Sequence, residues 1–133
     1  MRAVTNAAKA GVADRYSTIP GSAFDVELGA GYNIILIPNF LHHFDPTTNE
    51  KLLGKVHAAL ATEGIAIAPE FIPNEDRVSP ERDAMFSMQM LGTPAGDAYT
   101  YAELEKMFRN AGFARSEMRE LSPFPQRLVV SYK

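Results

Sequence analysis

The chain contains 133 residues, of which 46% are apolar and 22% charged, with no cysteine and a formal net charge of −3. This length supports one domain over residues 1–133, and the composition excludes disordered, fibrous and disulfide-stapled classes. Because the chain has no basic stripe, no apolar run long enough for a membrane span and no signal-peptide segment, we expect a cytoplasmic protein without a nucleic-acid or membrane partner.

Helix and strand signals alternate along the first third of the chain. Residues 2–10 are alanine-rich with apolar residues at helical spacing, and Gly11 stands where such a helix would end. Residues 15–19 predict a short strand. Residues 32–38, with the sequence YNIILIP, form an unbroken apolar run that predicts a strand covered on both faces, as in a parallel sheet.

A helix and a strand are predicted next. Asp45 followed by Pro46 predicts a helix N-terminus, because an Asp side chain caps the first amides and proline fits the first helical position. This helix is predicted to end at Gly64, and residues 65–71 predict the following strand. Its buried stripe is predicted to consist of Leu52, Leu53, Val56 and Leu60.

The last third predicts two more helices and an antiparallel strand pair. Ser79-Pro80 opens a helix by the same logic, and the capping-box sequence of Thr100 and Glu103 opens another that ends before Gly112. Residues 116–121 and 126–132 are separated by two prolines and predict the strand pair. The alternation predicts an α/β fold with helices packed on a mostly parallel sheet. One face of the third helix consists of Ala84, Met85, Met88 and Leu91.

Two adjacent histidines follow the apolar strand, at the edge where open α/β sheets place their ligands. His42 and His43 cannot both face one pocket in an extended segment. Because histidine titrates near neutral pH, one of them is a candidate general base. The alternative is that both are ordinary hydrogen-bonded residues at a strand-to-helix junction, and the spacing alone leaves the two interpretations open.

Glu70 stands near the end of the next predicted strand. A carboxylate in an apolar strand needs a partner, so Glu70 could orient a histidine across the sheet edge, or it could be an exposed residue just past the strand. A metal site from His42, His43, Asp45 and Glu70 is not predicted, because adjacent histidines do not converge on one ion. Helical spacing favours a core position over a pocket position for the methionines Met85, Met88 and Met90.

Six segments come in a specific order along the chain: PGSAF from Pro20, YNIILIPNFLHHFDP from Tyr32, ALATEG ending at Gly64, the strand ending in Glu70, Tyr99-Thr100 and NAGF from Asn110. In this colinear order they resemble the catalytic domain of S-adenosylmethionine-dependent small-molecule O-methyltransferases. The resemblance covers nearly the whole chain and implies a Rossmann-like fold with sheet order 3-2-1-4-5-7-6, S-adenosylmethionine as cofactor, and a small aromatic or polyketide-like acceptor.

The resemblance also implies roles for single residues. His42 would take the proton from the acceptor hydroxyl, and Glu70 would flank it. In the adenine-binding loop, Ser22 and Ala23 replace an Asp and a bulky residue, and Ala98 leaves a second flanking carboxylate unfilled. The implied cofactor residues are Gly21, Ser22, Ala23, Phe24 and Pro38, and the implied acceptor residues are Asn39, Met85 and Met88.

The resemblance lacks its first part. The family's first strand, glycine-rich loop, first helix and second strand have no counterpart, and Gly29 and Gly31 predict a turn because they precede a strand rather than follow one. We therefore expect a truncated catalytic domain whose strand at residues 32–38 has a bare edge, and a homo-oligomer formed through that edge. The alternative is a non-catalytic module that no longer binds cofactor.

Overall fold

The computed structural model of the protein describes residues 2–133. Over these residues the chain forms four α-helices and four β-strands, with 3-10 turns at Ala13–Arg15 and Leu41–His43. No helix in this range combines the length and apolarity needed to cross a membrane. The elements are, in chain order, α1 (Arg2–Lys9), β1 (Tyr32–Leu36), α2 (Pro46–Ala59), β2 (Leu60–Glu70), α3 (Glu81–Met90), α4 (Tyr101–Asn110), β3 (Arg115–Glu120) and β4 (Arg127–Tyr132).

The four strands form one sheet in the order β1-β2-β4-β3. β1 and β2 are parallel, and β4 is antiparallel to both β2 and β3. The α/β class and the C-terminal antiparallel pair are confirmed, and the strand order matches the 4-5-7-6 half of the order that the resemblance implies. The described sheet is mixed, since β4 returns beside β2 in the opposite direction, and only one of its three pairings is parallel.

The predicted strand at residues 15–19 is wrong. Residues 13–15 form a 3-10 turn, and residues 16–19 pair with no strand of the described chain. Tyr16 and Ile19 are exposed. A short apolar run becomes a strand only when a neighbouring backbone completes its hydrogen bonds, and none lies beside this segment.

The core lies between the sheet and helices α2 and α4, and the predicted helix starts are confirmed there. The Asp45 side chain accepts from the Thr48 N–H at 3.0 Å. Thr100 and Glu103 make both bonds of the capping box. The residues predicted as the stripe of α2 are all buried, and the largest fully buried side chains of the core are Phe108, Leu41, Leu53, Ile72, Leu104 and Val129.

Gly64 does not end α2, contrary to the prediction. The helix ends at Ala59 and the chain enters β2 directly at Leu60. The pairing register shifts between Tyr32, opposite Leu60, and Ile34, opposite Ile65. At this irregularity a Cβ on Gly64 would lie 2.8 Å from the Tyr32 carbonyl oxygen, so glycine is required by close backbone approach and not by a helix end.

β1 is an edge strand of the described sheet. The strand prediction is confirmed over Tyr32–Leu36, but the predicted cover on both faces is wrong for residues 2–133. Ile34 and Leu36 are 56% and 64% exposed. The free edge that the resemblance implies is therefore present.

The apolar face predicted for α3 points outward. Pro80 takes the cap position instead of the first helical position, and Glu81 begins the helix. Met85 and Met88 are 52% and 61% exposed, and Leu91 is exposed too. The core position favoured for Met85 and Met88 is therefore wrong, since α3 turns Asp83 and Met90 inward instead.

Candidate active site

The polar residues predicted at the sheet edge meet at the carboxyl ends of β1 and β2. His42 lies in the 3-10 turn Leu41–His43 that follows β1, and Glu70 is the last residue of β2. Because parallel neighbours end at the same edge, the two side chains come together across 28 residues of sequence. Over residues 2–133 no three His, Asp or Glu side chains cluster in a way that would hold a metal ion.

Glu70 is buried, and the hydrogen bonds of its side chain all go to the segment that carries His42. One carboxylate oxygen lies 2.6 Å from His42 Nδ1, and the other accepts from the N–H groups of Phe40 and Leu41, each at 2.8 Å. Glu70 is 3% exposed, so the interpretation as an exposed residue past the strand is wrong. An ionised carboxylate only accepts hydrogen bonds, so Nδ1 donates and Nε2 of a neutral His42 is the free acceptor.

The two adjacent histidines have different environments. His42 is 6% exposed, and its ring meets Phe86 of α3 edge-on, with centroids 4.8 Å apart. His43 is exposed, and its ring lies against that of His42 at 4.2 Å. The His42 carbonyl accepts from the Asp97 N–H at 3.1 Å. The side chain suited to work as a base is therefore His42, held by Glu70, α3 and the segment at residues 96–97.

Two residues to which the sequence analysis gave no role at the site hold the turn around His42. Asn49 Nδ2 donates to the carbonyls of Leu41 and Phe44, at 2.8 and 3.2 Å. The Tyr99 hydroxyl donates to the Phe44 carbonyl at 2.6 Å. Burial first, and then nearby carboxylates including Asp97, raise the pKa of Tyr99 to about 12, so the hydroxyl stays a donor at physiological pH.

The position that the resemblance gives to a second carboxylate is filled by Ala98, which is fully buried. Beside it, Tyr99 lines a narrow crevice together with His42, Glu70, Phe71 and Leu104. The available sequence signals were an asparagine in the first turn of a predicted helix, for Asn49, and a tyrosine before a predicted cap, for Tyr99. Neither pattern specifies a partner.

The turn predicted to hold the cofactor packs onto the loop that carries His42. The Ser22 carbonyl accepts from the Asp25 and Val26 N–H groups at 3.0 Å, and Ser22 Oγ accepts from the Phe24 N–H. A Cβ on Gly21 would lie 2.5 Å from Val26 Cγ1, so the turn needs glycine there. The Phe24 ring contacts the Phe44 ring edge-on, with centroids 5.0 Å apart.

An open apolar cleft of about 370 Å³ lies beside this turn. Its volume is in the range of small-molecule sites. Among the described residues no charged side chain lines it, so the lining suits a flat apolar ring and offers no ionic partner. The lining residues are Ala23, Leu28, Ile35, Leu36, Ile37, Pro38, Phe40, Leu52 and Val56, of which Ala23 and Pro38 were predicted from the resemblance.

The predicted acceptor residues lie apart from that cleft. Met85 and Met88 line a shallow groove of about 400 Å³ with Arg77 and Val78, and this groove shares no residue with the apolar cleft. Asn39 is exposed, has a left-handed backbone with φ 49°, and donates its N–H to the Pro69 carbonyl at 2.9 Å. The structure brings His42, Glu70 and the turn at Phe24 together, and leaves these three residues at the periphery.

Comparison with known proteins gives a consistent result. A family model described as the O-methyltransferase domain matches residues 1–114. The enzyme 3-hydroxy-5-methyl-1-naphthoate 3-O-methyltransferase from Streptomyces sahachiroi is 31% identical over 127 residues, which cover 95% of this chain and 37% of that protein.

Solved structures match over nearly the whole chain. A protein of Nostoc punctiforme PCC 73102, described as an O-methyltransferase, is 54% identical with a TM-score of 0.95, over 98% of this chain and 41% of its own. PigF, solved with S-adenosylhomocysteine, is 29% identical with a TM-score of 0.83, over 97% of this chain and 38% of its own. The chain therefore spans about two fifths of the length of the relatives it matches.

Proposed function

The chain belongs to the family of O-methyltransferase domains, and we propose that it carries the acceptor-activating part of a methyltransferase. The reaction moves a methyl group from S-adenosylmethionine to a hydroxyl of a small aromatic or polyketide-like molecule. The observation that carries this proposal is the buried pair of His42 and Glu70, with Nδ1 bonded to the carboxylate at 2.6 Å. A methyl transfer to oxygen needs a base at the hydroxyl, and the pair supplies one.

His42 and Glu70 have different roles in the proton transfer: His42 accepts the proton, and Glu70 stabilises the charge that results. Nε2 of His42 takes the proton as the acceptor O–H bond breaks, which leaves the oxygen electron pair free to form the new O–CH₃ bond. The imidazolium that results lies against the Glu70 carboxylate, whose charge stabilises it. Glu70 also holds the Phe40 and Leu41 amides, so the direction of the ring is fixed before the acceptor arrives.

The residues of this chain fit one end of the cofactor. S-adenosylmethionine, when bound, would supply an electrophilic methyl group on sulfur, and it would leave as S-adenosylhomocysteine once its C–S bond has broken. The turn at residues 21–24 and the cleft wall at Ala23 and Pro38 fit its adenine ring, since the lining is apolar. The cleft offers no charged side chain to the ribose or amino-acid end, so the described residues would hold only the adenine end.

The acceptor class is supported by the relative from Streptomyces, whose name gives a hydroxynaphthoate as its substrate. In this chain, Met85 and Met88 would bind one face of such a flat molecule, since they lie on α3, whose Phe86 contacts the His42 ring, and thioether side chains adapt to aromatic faces. Asn39, on the exposed loop before His42, would contact its polar edge.

A second candidate is a non-catalytic assembly module. The observation in its favour is that Ser22 Oγ is already bonded to the Phe24 N–H inside the turn, where the resemblance places an adenine-binding Asp. The free β1 edge, with Ile34 and Leu36 exposed, would serve assembly in either case. We propose that this edge pairs with a second copy of the chain.

Calorimetric titration of the 133-residue chain with S-adenosylhomocysteine tests the proposal. Saturable binding is expected, and a screen of phenolic acceptors with S-adenosylmethionine should then yield methylated product. Binding without any product over a broad acceptor panel would contradict methyl transfer by this chain. No binding would contradict the proposed cofactor site and favour the assembly module.

A further inference from the structure

Lys55 binds three backbone carbonyl groups of the turn at residues 21–26. It lies on α2, and its Nζ donates to the carbonyl oxygens of Ala23, Phe24 and Val26, at 3.1, 2.6 and 2.9 Å. An ammonium group has three donors, so all of them are used inside the chain. Over residues 2–133 no carboxylate forms an ion pair with this lysine.

The shape of the turn depends on these bonds. Within the turn, two backbone N–H groups, of Asp25 and Val26, donate to the Ser22 carbonyl, and the Phe24 N–H donates to Ser22 Oγ. The three carbonyl oxygens beyond Ser22 converge on one point, and their partial negative charges repel unless a donor or cation lies there. The Lys55 ammonium group is part-buried at that point, so its hydrogen bonds hold the three carbonyl groups of the turn in place.

We infer that Lys55 is a positioning residue that sets the shape of this turn and, through it, the affinity for the adenine end of the cofactor. Ala23 forms part of the cleft wall, and Phe24 packs on Phe44 beside His42. A shift of the turn therefore moves the cleft wall and one support of the His42 loop together. The consequence for adenine rests on the proposed function, whereas the control of the turn does not.

Amide hydrogen exchange in the ligand-free chain tests the control of the turn. Lys55→Met keeps the side-chain stem and removes all three donors, so the Asp25 and Val26 amides should exchange about tenfold faster or more, while α4 amides keep their rates. Lys51→Met, exposed on the same helix, is the matched control and should change neither set.

A second variant covers the case in which Lys55→Met fails to fold. Lys55→Arg keeps the charge but not the three-point geometry, because the guanidinium group is planar, and an intermediate exchange rate is expected. Wild-type exchange in Lys55→Met overturns the inference. If that variant is unfolded, wild-type exchange in Lys55→Arg does so.

Titration with S-adenosylhomocysteine, at a temperature where every variant is folded, tests the consequence for the cofactor. Lys55→Met should bind about tenfold more weakly and Lys51→Met as tightly as wild type. Equal affinity of Lys55→Met and wild type overturns the link to adenine, since a residue that only stabilises the fold lowers the melting temperature and leaves the affinity of the folded chain unchanged. No binding by wild type contradicts the proposed function instead, and the exchange rates still decide the role of Lys55.

Discussion

The Glu70 carboxylate organises the site through both of its oxygens. One orients the His42 ring and the other fixes two amides of the loop that carries it. A buried carboxylate is stable only when its acceptor positions are filled, and here they are filled by the segment that it positions. Glu70 therefore links the electrostatics of the proposed base to the conformation of the loop.

Replacing His42 tests its proposed role as the base and distinguishes it from its neighbour His43. In a form of the protein that transfers methyl groups, His42→Ala should lower turnover by roughly 10²–10⁴, the usual share of general-base catalysis. His43→Ala, one residue further and exposed, is the matched control and should keep turnover close to wild type. Glu70→Gln should fall between the two, because an amide oxygen still accepts from the loop while the charge is lost. Rates at saturating acceptor decide this, and wild-type turnover in His42→Ala would remove the residue from the role.

Whether the sequence predicts a residue of the site depends on what that residue binds: a partner placed by strand pairing can be predicted, and a backbone carbonyl group cannot. His42 and Glu70 each follow a strand, so pairing two predicted parallel strands is enough to bring them together. Lys55, Asn49 and Tyr99 bind backbone carbonyl groups. Every residue offers a carbonyl, so no residue pattern marks the partner, and only the folded chain shows it.

At the scale of elements, periodicity predicts a face without saying which face is buried. α3 has its apolar residues at helical spacing, yet Phe86 and Asp83 turn inward and the methionines turn outward. Gly64 likewise predicts a helix end, but in the structure glycine is needed there because the backbone of the neighbouring strand comes too close for a Cβ. The type of each element follows from local sequence, whereas its orientation follows from contacts distant in sequence.

Two glycines in different settings should respond in opposite ways to alanine. A Cβ on Gly96 would overlap the His42 carbonyl oxygen, so Gly96→Ala should lower the free energy of unfolding by about 1–3 kcal/mol and shift the His42 ring resonances. Gly54 lies inside α2 with nothing within 4 Å of its Cβ position, so Gly54→Ala should raise stability by about 0.5–1 kcal/mol. Urea unfolding measures the stability of both variants, and NMR of the imidazole groups measures the shift of the His42 resonances. Equal stability of the two variants would contradict the tight contact at Gly96.

The end of α2 should respond to pH through His57. Burial first, and then the charge of Lys133, lower the pKa of His57 below its usual 6.5, and its ring packs edge-on against Phe113. The folded state then binds fewer protons than the unfolded state. The contribution of His57 to the free energy of unfolding is therefore fully present above pH 6.5, and it is lost as pH falls towards the pKa of His57 in the folded state.

Comparison of wild type with His57→Gln isolates this effect. Wild type should lose unfolding free energy as pH falls below about 6.5, and the variant should lose less over the same range. Asp45 and Asp76 do not interfere, because side-chain hydrogen bonds from Thr48 and Ser79 hold the pKa of each below its usual 3.8. If wild type and His57→Gln lose the same unfolding free energy over this range, His57 is not the source of the pH dependence.

At the scale of the whole molecule, the two edges of the sheet differ in chemistry. The β3 edge has the sequence RSEMRE, and charges of this kind discourage pairing with another chain. The β1 edge has the sequence YNIIL and no charge. The order of strands and the bare edge follow from the resemblance and the apolar run. The local sequence does not predict which strand pairs with the β1 edge, because a free edge accepts any strand of suitable shape.

Pairing of two β1 strands gives the last prediction. Two copies related by a two-fold axis pair antiparallel, and Ile34 is the central residue of the five-residue strand, so the two Ile34 side chains meet near the axis. Ile34→Lys places two like charges there, and the solution mass should fall from twice the 14.6 kDa of one chain to that of one chain. Met118→Lys, on the opposite edge strand β3, is the matched control and should leave the mass unchanged. Sedimentation over a range of concentrations measures this, and a wild-type mass of one chain throughout would show that the β1 edge does not pair with its own copy.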